Sequence, residues 1–280
     1  MAVSQQQPFC KPKMPFTGPL LGGLQEGKSV IVIGRILPKA GRFNVNLQCG
    51  SESNADIALH FNPRYDGLAT VVLNTFQNSC WGSEECKSDS FLLQNQPFIL
   101  QILVTKETYK ISVNGKYFMD YKHRIPFTRV DTILVDKLMD LDFIGYQNPV
   151  VVPYKAVING GLQPEKDIVV YGVPNPDSKM VVFNLRHRYG VALHYKSLFE
   201  ENVVVRNTFE NGTWGEEEKC GAVPFKKDQL FQVTISCNKE QFTVCVNGQQ
   251  AHTYKHRYAK LEDIDVFEFY GDIQLFFAKT

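Results

Sequence analysis

The 280-residue sequence predicts an all-β protein made of two jelly-roll-like β-sandwich domains joined by a very short linker, and three observations support this prediction. Apolar or alternating runs of strand length recur, and no stretch of helix length shows a clear helical period. In the first half these runs are SVIVIGRIL, RFNVNLQ, DIALHF, TVVLNTF, FILQILVT and YKISVNG. Asn114-Gly115 and Asn247-Gly248 lie at the ends of such runs, where this dipeptide favours hairpin turns. The third observation is that the chain repeats itself.

The second half of the chain is a copy of the first. GGLQ at 22–25 recurs at 160–163, and NTF at 74–76 recurs at 207–209. VNG and YKHR recur at the same spacing as NTF, and the second copy is shorter mainly where QCGSESNADIALH becomes RHRYGVALH. Repetition on this scale indicates a duplicated domain. We predict an N-terminal tail at 1–14, a first domain at 15–148, a short linker at 149–153 and a second domain at 154–280.

Composition and charge exclude several classes of protein. Hydrophobic residues make up 44% of the chain, which is enough for a packed core, and the net charge of +1 predicts no attraction to nucleic acid or to an anionic membrane. The N-terminus lacks the apolar core of a signal peptide, and no apolar run is long enough to insert into a membrane.

The seven scattered cysteines indicate free thiols in a reducing cytosol. Cys80 and Cys86 have no second pair nearby, so neither zinc nor another cofactor is expected.

The run HFNPR at 60–64 places unlike polar groups at alternate positions. In a strand His60, Asn62 and Arg64 would face one side, while Phe61 would face the core. Pro63 suits an edge strand or the end of a strand. The sequence therefore predicts a row of hydrogen-bonding side chains on one sheet face.

Two further stretches, VVLN at 71–74 and WGSEE at 81–85, would lie beside HFNPR in an antiparallel meander. The residues expected to share one face are His60, Asn62, Arg64, Asn74, Trp81 and Glu84. Fixed donors and acceptors suit sugar hydroxyls, an Arg–Glu pair would hold its geometry, and the indole can stack on a sugar ring. Each residue alone also fits a simpler interpretation: a structural histidine, a core tryptophan or a solvated glutamate.

HFNPR, VVLN and WGSEE in this order strongly resemble the galectin signature. VNG, the HR of YKHR and the late IDVFEFYGDIQL also look like galectin strands. The resemblance covers nearly the whole chain, once in each half, so the protein is identified as a tandem-repeat galectin. This resemblance implies two sheets of five or six antiparallel strands per domain, and binding of β-galactosides without calcium.

The resemblance also implies a role for each residue of the first site. The three polar residues of HFNPR would hold the axial 4-hydroxyl of galactose, Asn74 and Glu84 the 6-hydroxyl, and Trp81 would stack under the ring. Arg64 and Glu84 would also reach the next sugar. Many family members carry an arginine where this chain has Cys86, which puts part of that reach in doubt.

The corresponding site of the second half differs from the first. HYKSLF at 194–199 replaces HFNPRY, so Lys196 stands in place of Asn62 and Leu198 in place of Arg64. The residues of a possible second site are His194, Lys196, Arg206, Asn207, Trp214 and Glu217. Without the guanidinium, Glu217 would pair at best with Lys196, a point charge that lacks the planar fork. We expect weak, altered or absent galactoside binding in this domain.

Other functions of the second half stay open. Six basic residues could form one surface for sulfated or sialylated glycans or for a protein partner, and they could equally be ordinary solvated charges. They are Arg186, His187, Arg188, Lys196, Arg206 and Lys219. An interaction scaffold is therefore the alternative to a lectin with two sugar sites.

A calcium-independent lectin that recognises or cross-links glycoproteins and glycolipids is the leading interpretation, with possible self-association. The family resemblance implies a cytoplasmic protein that also reaches the extracellular space by a non-classical route. An enzyme is not expected. A glycosidase needs two carboxyl groups flanking the scissile bond, whereas the adjacent Glu84 and Glu85 would point to opposite faces of a strand.

Overall fold

A computed structural model describes residues 6–67, 69–88, 91–136, 139–219 and 221–280. The chain divides into two compact units, Met1–Pro149 and Val150–Thr280. Every strand pairing among the described residues is antiparallel, and each unit has its own hydrophobic core between two sheets. The predicted all-β fold with two sandwich domains is confirmed.

The described part of the first unit contains thirteen strands and a 3-10 turn at Phe127–Arg129. The strands are β1 (Phe9–Cys10), β2 (Phe16–Pro19), β3 (Ser29–Ile36), β4 (Asn44–Gln48), β5 (Ile57–Arg64), β6 (Thr70–Gln77), β7 (Cys80–Trp81), β8 (Glu85–Ser88), β9 (Pro97–Val104), β10 (Thr108–Val113), β11 (Lys116–Lys122), β12 (Thr132–Asp136) and β13 (Met139–Gln147). One sheet has the order β1-β13-β3-β9-β10-β11. The other, called here the cleft sheet, has the order β2-β12-β4-β5-β6-β7, and β8 also pairs with β6.

The described part of the second unit contains twelve strands and a 3-10 turn at Leu261–Asp263. The strands are β14 (Tyr154–Val157), β15 (Asp167–Pro174), β16 (Met180–His187), β17 (Gly190–Leu198), β18 (Val203–Glu210), β19 (Thr213–Trp214), β20 (Glu218–Lys219), β21 (Phe231–Cys237), β22 (Gln241–Val246), β23 (Gln249–Lys255), β24 (Val266–Gly271) and β25 (Ile273–Lys279). Its cleft sheet has the order β14-β24-β16-β17-β18-β19, with β20 on β18, and the other sheet has the order β23-β22-β21-β15-β25.

The alternation of HFNPR is realised in β5. Phe61 is fully buried in the core of the first unit, together with Leu59 on the same strand and Leu73 on β6. Burying a side chain of this size stabilises the fold by about 2 kcal/mol. Since β5 lies between β4 and β6, Pro63 stands near the end of an internal strand, where it costs little pairing. The core side of β5 therefore fixes which side chains face outward.

Both predicted Asn-Gly turns are present. Asn114 and Gly115 have φ of +50° and +79°, and the corresponding pair in the second unit has +51° and +80°. Two consecutive positive φ angles are what a type I′ hairpin requires. The Asn114 Oδ1 atom also accepts a hydrogen bond from the Ile99 amide at 3.0 Å, so the turn is tied to β9.

A buried hydroxyl pair joins the two sheets of each unit behind the cleft. Thr75 Oγ1 lies 2.7 Å from the Tyr121 hydroxyl in the first unit, and Thr208 Oγ1 lies 2.7 Å from the Tyr254 hydroxyl in the second. The hydroxyl of each threonine also donates to a backbone carbonyl of the neighbouring strand. These contacts anchor β6 and β18 at the residue next to each cleft asparagine.

The two units differ most between the third and fourth strands of the cleft sheet. In the first unit β4 ends at Gln48 and β5 begins at Ile57, whereas in the second Arg188 and Tyr189 alone connect β16 to β17. The shortening read from the sequence is therefore a long loop reduced to a tight turn.

Three remaining features concern the described residues only. Six cysteines in these ranges are free thiols, and Cys220 lies outside them. No helix there is long and apolar enough to cross a membrane. No cluster of His, Cys, Asp and Glu there could hold a metal ion.

Candidate functional site

The outward face of the first cleft sheet holds a cleft of about 430 Å³. It is lined by Arg42, Asn44, His60, Asn62, Arg64, Asn74, Trp81, Gly82 and Glu84. The structure thus brings together all six residues predicted for the first site, which come from β5, β6, β7 and the loop after β7. Arg42 and Asn44 are additional members, at alternate positions on and just before β4.

Arg64 connects two other residues of the cleft. Its Nε donates to Asn62 Oδ1 at 2.8 Å, and its Nη2 donates to Glu84 Oε1 at 2.9 Å. The predicted Arg–Glu pair is present, with both side chains part-exposed at 32% and 48%. A planar guanidinium can make both bonds at once and still turn other N–H groups to a ligand.

Asn62 is the buried member of this group, at 2% exposure. Its Nδ2 donates to the Phe43 carbonyl at 2.7 Å and to Asn44 Oδ1 at 2.6 Å. With both N–H groups occupied, the amide cannot rotate, and Oδ1 is held toward Arg64. Asn44 therefore supports the site by fixing the Asn62 amide. It lies in the predicted strand RFNVNLQ, but nothing in that sequence marks it as a residue of the site.

His60 is oriented by a neighbour on β4. Asn46 Oδ1 lies 2.7 Å from His60 Nδ1, and this orientation of the amide assigns the ring proton to Nδ1 and leaves Nε2 as the hydrogen-bond acceptor of the neutral ring. Burial, followed by the nearby charge of Arg64, lowers the pKa of His60 to about 4. The ring is neutral at physiological pH.

Trp81 forms an exposed aromatic wall. Its side chain is 52% exposed, and its ring is supported by His60 at 4.8 Å and by Phe76 at 5.1 Å between centroids. An apolar ring face held open to solvent beside polar groups fits a ligand with one apolar and one hydroxylated side. The interpretation of Trp81 as a core residue is excluded.

The loop that carries Trp81 and Glu84 is held by Arg124. The guanidinium donates to Asn74 Oδ1 at 3.2 Å, to the Ser83 carbonyl at 2.8 Å and to Glu85 Oε1 at 2.8 Å. Gly82 lets the loop approach Arg124 closely, because an added Cβ would lie 2.9 Å from the guanidinium and displace it. The repeated YKHR signals this arginine, but its role depends on tertiary contacts.

The second unit has a smaller cleft of about 260 Å³ in the equivalent place. Its lining is His194, Lys196, Leu198, Glu201, Val205, Asn207, Trp214, Glu217 and Lys219. Five of the six residues proposed for a second site are brought together here. Asn207 is buried, and Trp214 remains 49% exposed with Phe209 and His194 against it, so this part of the first cleft is preserved.

The polar linkage of the first cleft is absent from the second. Leu198 occupies the register position of Arg64, and Val182 occupies that of Asn44. Glu217 pairs with Lys219 at 3.1 Å, so the expected pairing of Glu217 with Lys196 is wrong. The Lys196 side chain makes no hydrogen bond or ion pair within the described ranges.

Arg206 is the proposed second-site residue that does not reach the cleft. It is adjacent to Asn207 in β18 and therefore faces the opposite side, with 7% exposure. Its Nη1 donates to the Thr253 carbonyl at 2.8 Å, and Nη2 lies 3.7 Å from Glu218 Oε2. The strict alternation of a strand could have revealed this placement.

The six-residue basic surface considered from the sequence is also not formed as a unit. Besides Arg206, His187 is buried at 6% exposure, with its ring stacked on Tyr258 at 3.9 Å. Arg186 is neutralised by Glu268, whose Oε2 lies 3.0 Å from Arg186 Nη1. Lys196 is the basic residue of the set with a free charge in the cleft.

Carboxylates bear on the question of catalysis. Among the described residues, Glu84 is the one acidic residue that lines the first cleft. Glu85 turns away and pairs with Arg124 at 2.8 Å. A single carboxylate does not provide the two groups that glycoside hydrolysis requires. The first cleft has the composition of a binding site.

An antiparallel sandwich with a cleft walled by an exposed tryptophan, present twice in one chain, is the architecture expected of a two-domain lectin. The family model described as galactoside-binding lectin matches residues 15–145 and again residues 153–278. The chain belongs to this family, the galectins, and carries two galectin domains in tandem.

Full-length relatives support the assignment. Galectin-4 of Sus scrofa is 35% identical over 314 residues, covering 98% of this chain and 97% of its own. Galectin-6 of Mus musculus is 35% identical and covers 96% of this chain and 95% of its own. The 32 kDa beta-galactoside-binding lectin of Haemonchus contortus is 32% identical, with coverage of 94% and 93%.

Proposed function

We propose that the first domain binds β-galactosides and that the second domain binds them weakly or not at all. The observation that carries this proposal is the Asn62–Arg64–Glu84 linkage beside Trp81 in the first cleft and its absence from the second. Both domains keep the exposed tryptophan, Trp81 or Trp214, so the two clefts differ in their directed polar contacts.

The first cleft can distinguish galactose from glucose by its 4-hydroxyl. His60 Nε2 accepts a hydrogen bond, and the free N–H groups of Arg64 donate, at neighbouring points of the wall. An axial hydroxyl above the sheet can satisfy both, while the ring face lies on Trp81. An equatorial hydroxyl leaves these half-buried groups unpaired, which is costly.

The second cleft lacks the groups that would make this discrimination. Leu198 offers no donor, Lys196 replaces the amide of Asn62, and Val182 offers no acceptor in place of Asn44. Each missing hydrogen bond costs about 1 kcal/mol or more where a charge is involved. Two missing contacts correspond to a loss of roughly a hundredfold in affinity.

Lactose titration of the full chain by calorimetry tests the proposal through its stoichiometry. We expect one lactose per chain in the concentration range that saturates the first domain. Arg64→Leu, which places the second domain's residue in the first, should abolish this binding. Arg129→Leu is the matched control, because it removes a similar exposed ion pair, to Asp56 at 3.0 Å, outside the cleft.

Two lactose molecules per chain with similar affinity would contradict the inequality of the domains. Retained binding in Arg64→Leu would contradict the assignment of the site. Incubation with a chromogenic galactoside belongs in the same series, and we expect no hydrolysis.

The free ammonium of Lys196 favours an anionic glycan as the ligand of the second domain. It lies in a cleft with a preserved tryptophan wall, and its charge contributes to lowering the pKa of His194, after burial, to about 4. A sulfate or carboxylate on a sugar would satisfy the ammonium that the protein leaves unpaired.

This ligand class is tested in the Arg64→Leu chain, whose first site is silenced. We expect sulfated lactose to bind more tightly than lactose, and Lys196→Gln to remove the difference. A glycan array without anionic hits, together with capture of a protein through the same face, would instead favour an interaction scaffold.

A further inference from the structure

A straight row of side chains crosses the cleft sheet of each unit. In the second unit the cross-strand partners are, in order, Lys155, Glu268, Asn184, His194 and Asn207. In the first unit the same positions hold Thr17, Leu134, Asn46, His60 and Asn74. Directly paired residues project to the same face, so each row leads from the edge strand into the cleft.

The second row contains a carboxylate that the first row lacks. Glu268 accepts from Asn184 Nδ2 at 2.8 Å, from Arg186 Nη1 at 3.0 Å and from Lys155 Nζ at 3.0 Å. Its side chain is only 10% exposed. Although burial raises the pKa of Glu268, these three donors outweigh it and hold the pKa below its ordinary value. The group is therefore an anionic acceptor at neutral pH.

The carboxylate determines which way the Asn184 amide faces. An ionised carboxylate only accepts, so Asn184 must turn Nδ2 toward it and Oδ1 toward His194. Asn184 Oδ1 lies 2.8 Å from His194 Nδ1. In the first unit the same position holds Leu134, so the orientation of the Asn46 amide beside His60 does not depend on a carboxylate.

We propose that Glu268 is a positioning residue of the second domain, which acts through Asn184 to keep the proton of His194 on Nδ1. His194 Nε2 is then an obligate hydrogen-bond acceptor in the cleft. A ligand must present a hydroxyl or N–H donor to Nε2, and an anionic oxygen must bind at Lys196 instead. Sugars with a hydroxyl beside the anionic substituent are therefore selected, a consequence that rests on the proposed function of this domain.

The proton position is measured without any ligand. Long-range ¹H–¹⁵N spectra of the full chain at neutral pH report the tautomer of each histidine, and His194→Gln assigns the signal. We expect His194 to be wholly the Nδ1–H form in the native chain and in Glu268→Gln, whose amide oxygen can still accept from Asn184. In Glu268→Leu we expect a mixture of tautomers with His60 unchanged.

Leucine is a tolerated residue at this register position, as Leu134 shows, so Glu268→Leu should fold. Glu262→Gln is the control, since Glu262 lies outside the row in the 3-10 turn at Leu261–Asp263. An unchanged Nδ1–H tautomer in a folded Glu268→Leu chain would overturn the proposal. So would an equal mixture already present in the native chain.

Binding of sulfated lactose, measured in the Arg64→Leu background, tests the consequence. We expect Glu268→Leu to weaken it about tenfold, the scale of one directed hydrogen bond to a fixed acceptor, and Glu268→Gln to weaken it less. Unaltered affinity in Glu268→Leu would overturn the ligand consequence. If the native second domain does not bind the compound, the proposed anionic ligand fails, while the tautomer measurement still decides the role of Glu268.

Discussion

At the scale of single residues, Arg64 matters for the number of directed hydrogen bonds that its side chain makes at once. Arg64 binds Asn62 through Nε and Glu84 through Nη2, and a lysine has one nitrogen with which to do the same. The ammonium would also present no planar edge to the sugar. We therefore expect the shape of this side chain to matter more than its charge.

Arg64→Lys should consequently reduce galactoside affinity by roughly ten- to a hundredfold, the scale of one or two lost hydrogen bonds, with little change in stability. Lactose calorimetry and thermal unfolding of the full chain measure both. Arg35→Lys on β3, in the opposite sheet, is the conservative control. Near-native affinity in Arg64→Lys would mean that charge alone suffices.

The low pKa of His60 predicts an unusual pH range for binding. Burial, then the charge of Arg64, places this pKa at about 4, so Nε2 remains an acceptor well below neutral pH. Protonation would turn the acceptor into a donor and set a second cation beside Arg64. An ordinary histidine would already be charged near pH 6.

Lactose affinity should therefore be nearly constant from pH 7.5 to about 5.5 and should fall as the pH approaches 4. Titrations in buffers of equal ionic strength measure this profile. A tenfold loss of affinity between pH 7 and 6 would show that His60 titrates normally.

At the scale of elements, one loop of each cleft is held in place by an arginine that follows the edge hairpin of the opposite sheet. Arg124 follows β11 and reaches the loop after β7, and Arg257 follows β23 and reaches the loop after β19. Arg257 donates to the Glu216 carbonyl at 2.7 Å and to Glu218 Oε1 at 2.8 Å, which repeats the contacts of Arg124. The repetition indicates that the loop position, and not only its sequence, is preserved.

Arg124→Leu should loosen residues 81–85 and weaken lactose binding by about tenfold, because Trp81 and Glu84 lose their fixed positions. Hydrogen exchange of these amides and lactose calorimetry measure the two effects. Arg257→Leu is the matched variant: it should loosen residues 214–218 and leave lactose affinity unchanged. Weaker binding without faster exchange at 81–85 would argue for a direct contact of Arg124 with the sugar.

At the scale of the whole molecule, the proposed inequality of the two sites would limit how the chain can cross-link. One galactoside site per chain binds a galactose-coated surface but does not bridge two of them. The second site would contribute only where its own ligand is present. Under the proposed function, recognition of glycoconjugates would depend on which pair of glycans a surface offers.

Aggregation of galactose-coated beads tests this limit. The native chain should bind the beads without aggregating them. A chain with Val182→Asn, Lys196→Asn and Leu198→Arg should aggregate them in a lactose-sensitive way, because the three changes restore the polar set of the first cleft. Lactose-sensitive aggregation by a native chain that is monomeric in gel filtration would show that the second domain binds galactosides as it stands.

The sequence alone determined the duplication, the strands, the Asn-Gly turns and the set of six residues in the first cleft. These are local properties: alternation fixes the face of each side chain, and short spacings bring adjacent strands together. The loss of Arg64 and Asn62 equivalents from the second copy was readable in the same way. The prediction that Arg206 lines the second cleft is wrong. This too could be read locally, because adjacent residues of a strand, such as Arg206 and Asn207, face opposite sides of the sheet.

Apart from the Arg64–Glu84 pair, which the sequence predicted, only the tertiary structure decided which charged groups meet. Glu217 pairs with Lys219 and not with Lys196, Arg124 holds a loop 41 positions away in sequence, and Glu268 contacts an asparagine 84 positions away. Strands β16 and β24 are distant in the chain and become neighbours because the jelly-roll order places them side by side. Their register then sets the row that ends at His194, and no local pattern specifies the register of strands so far apart.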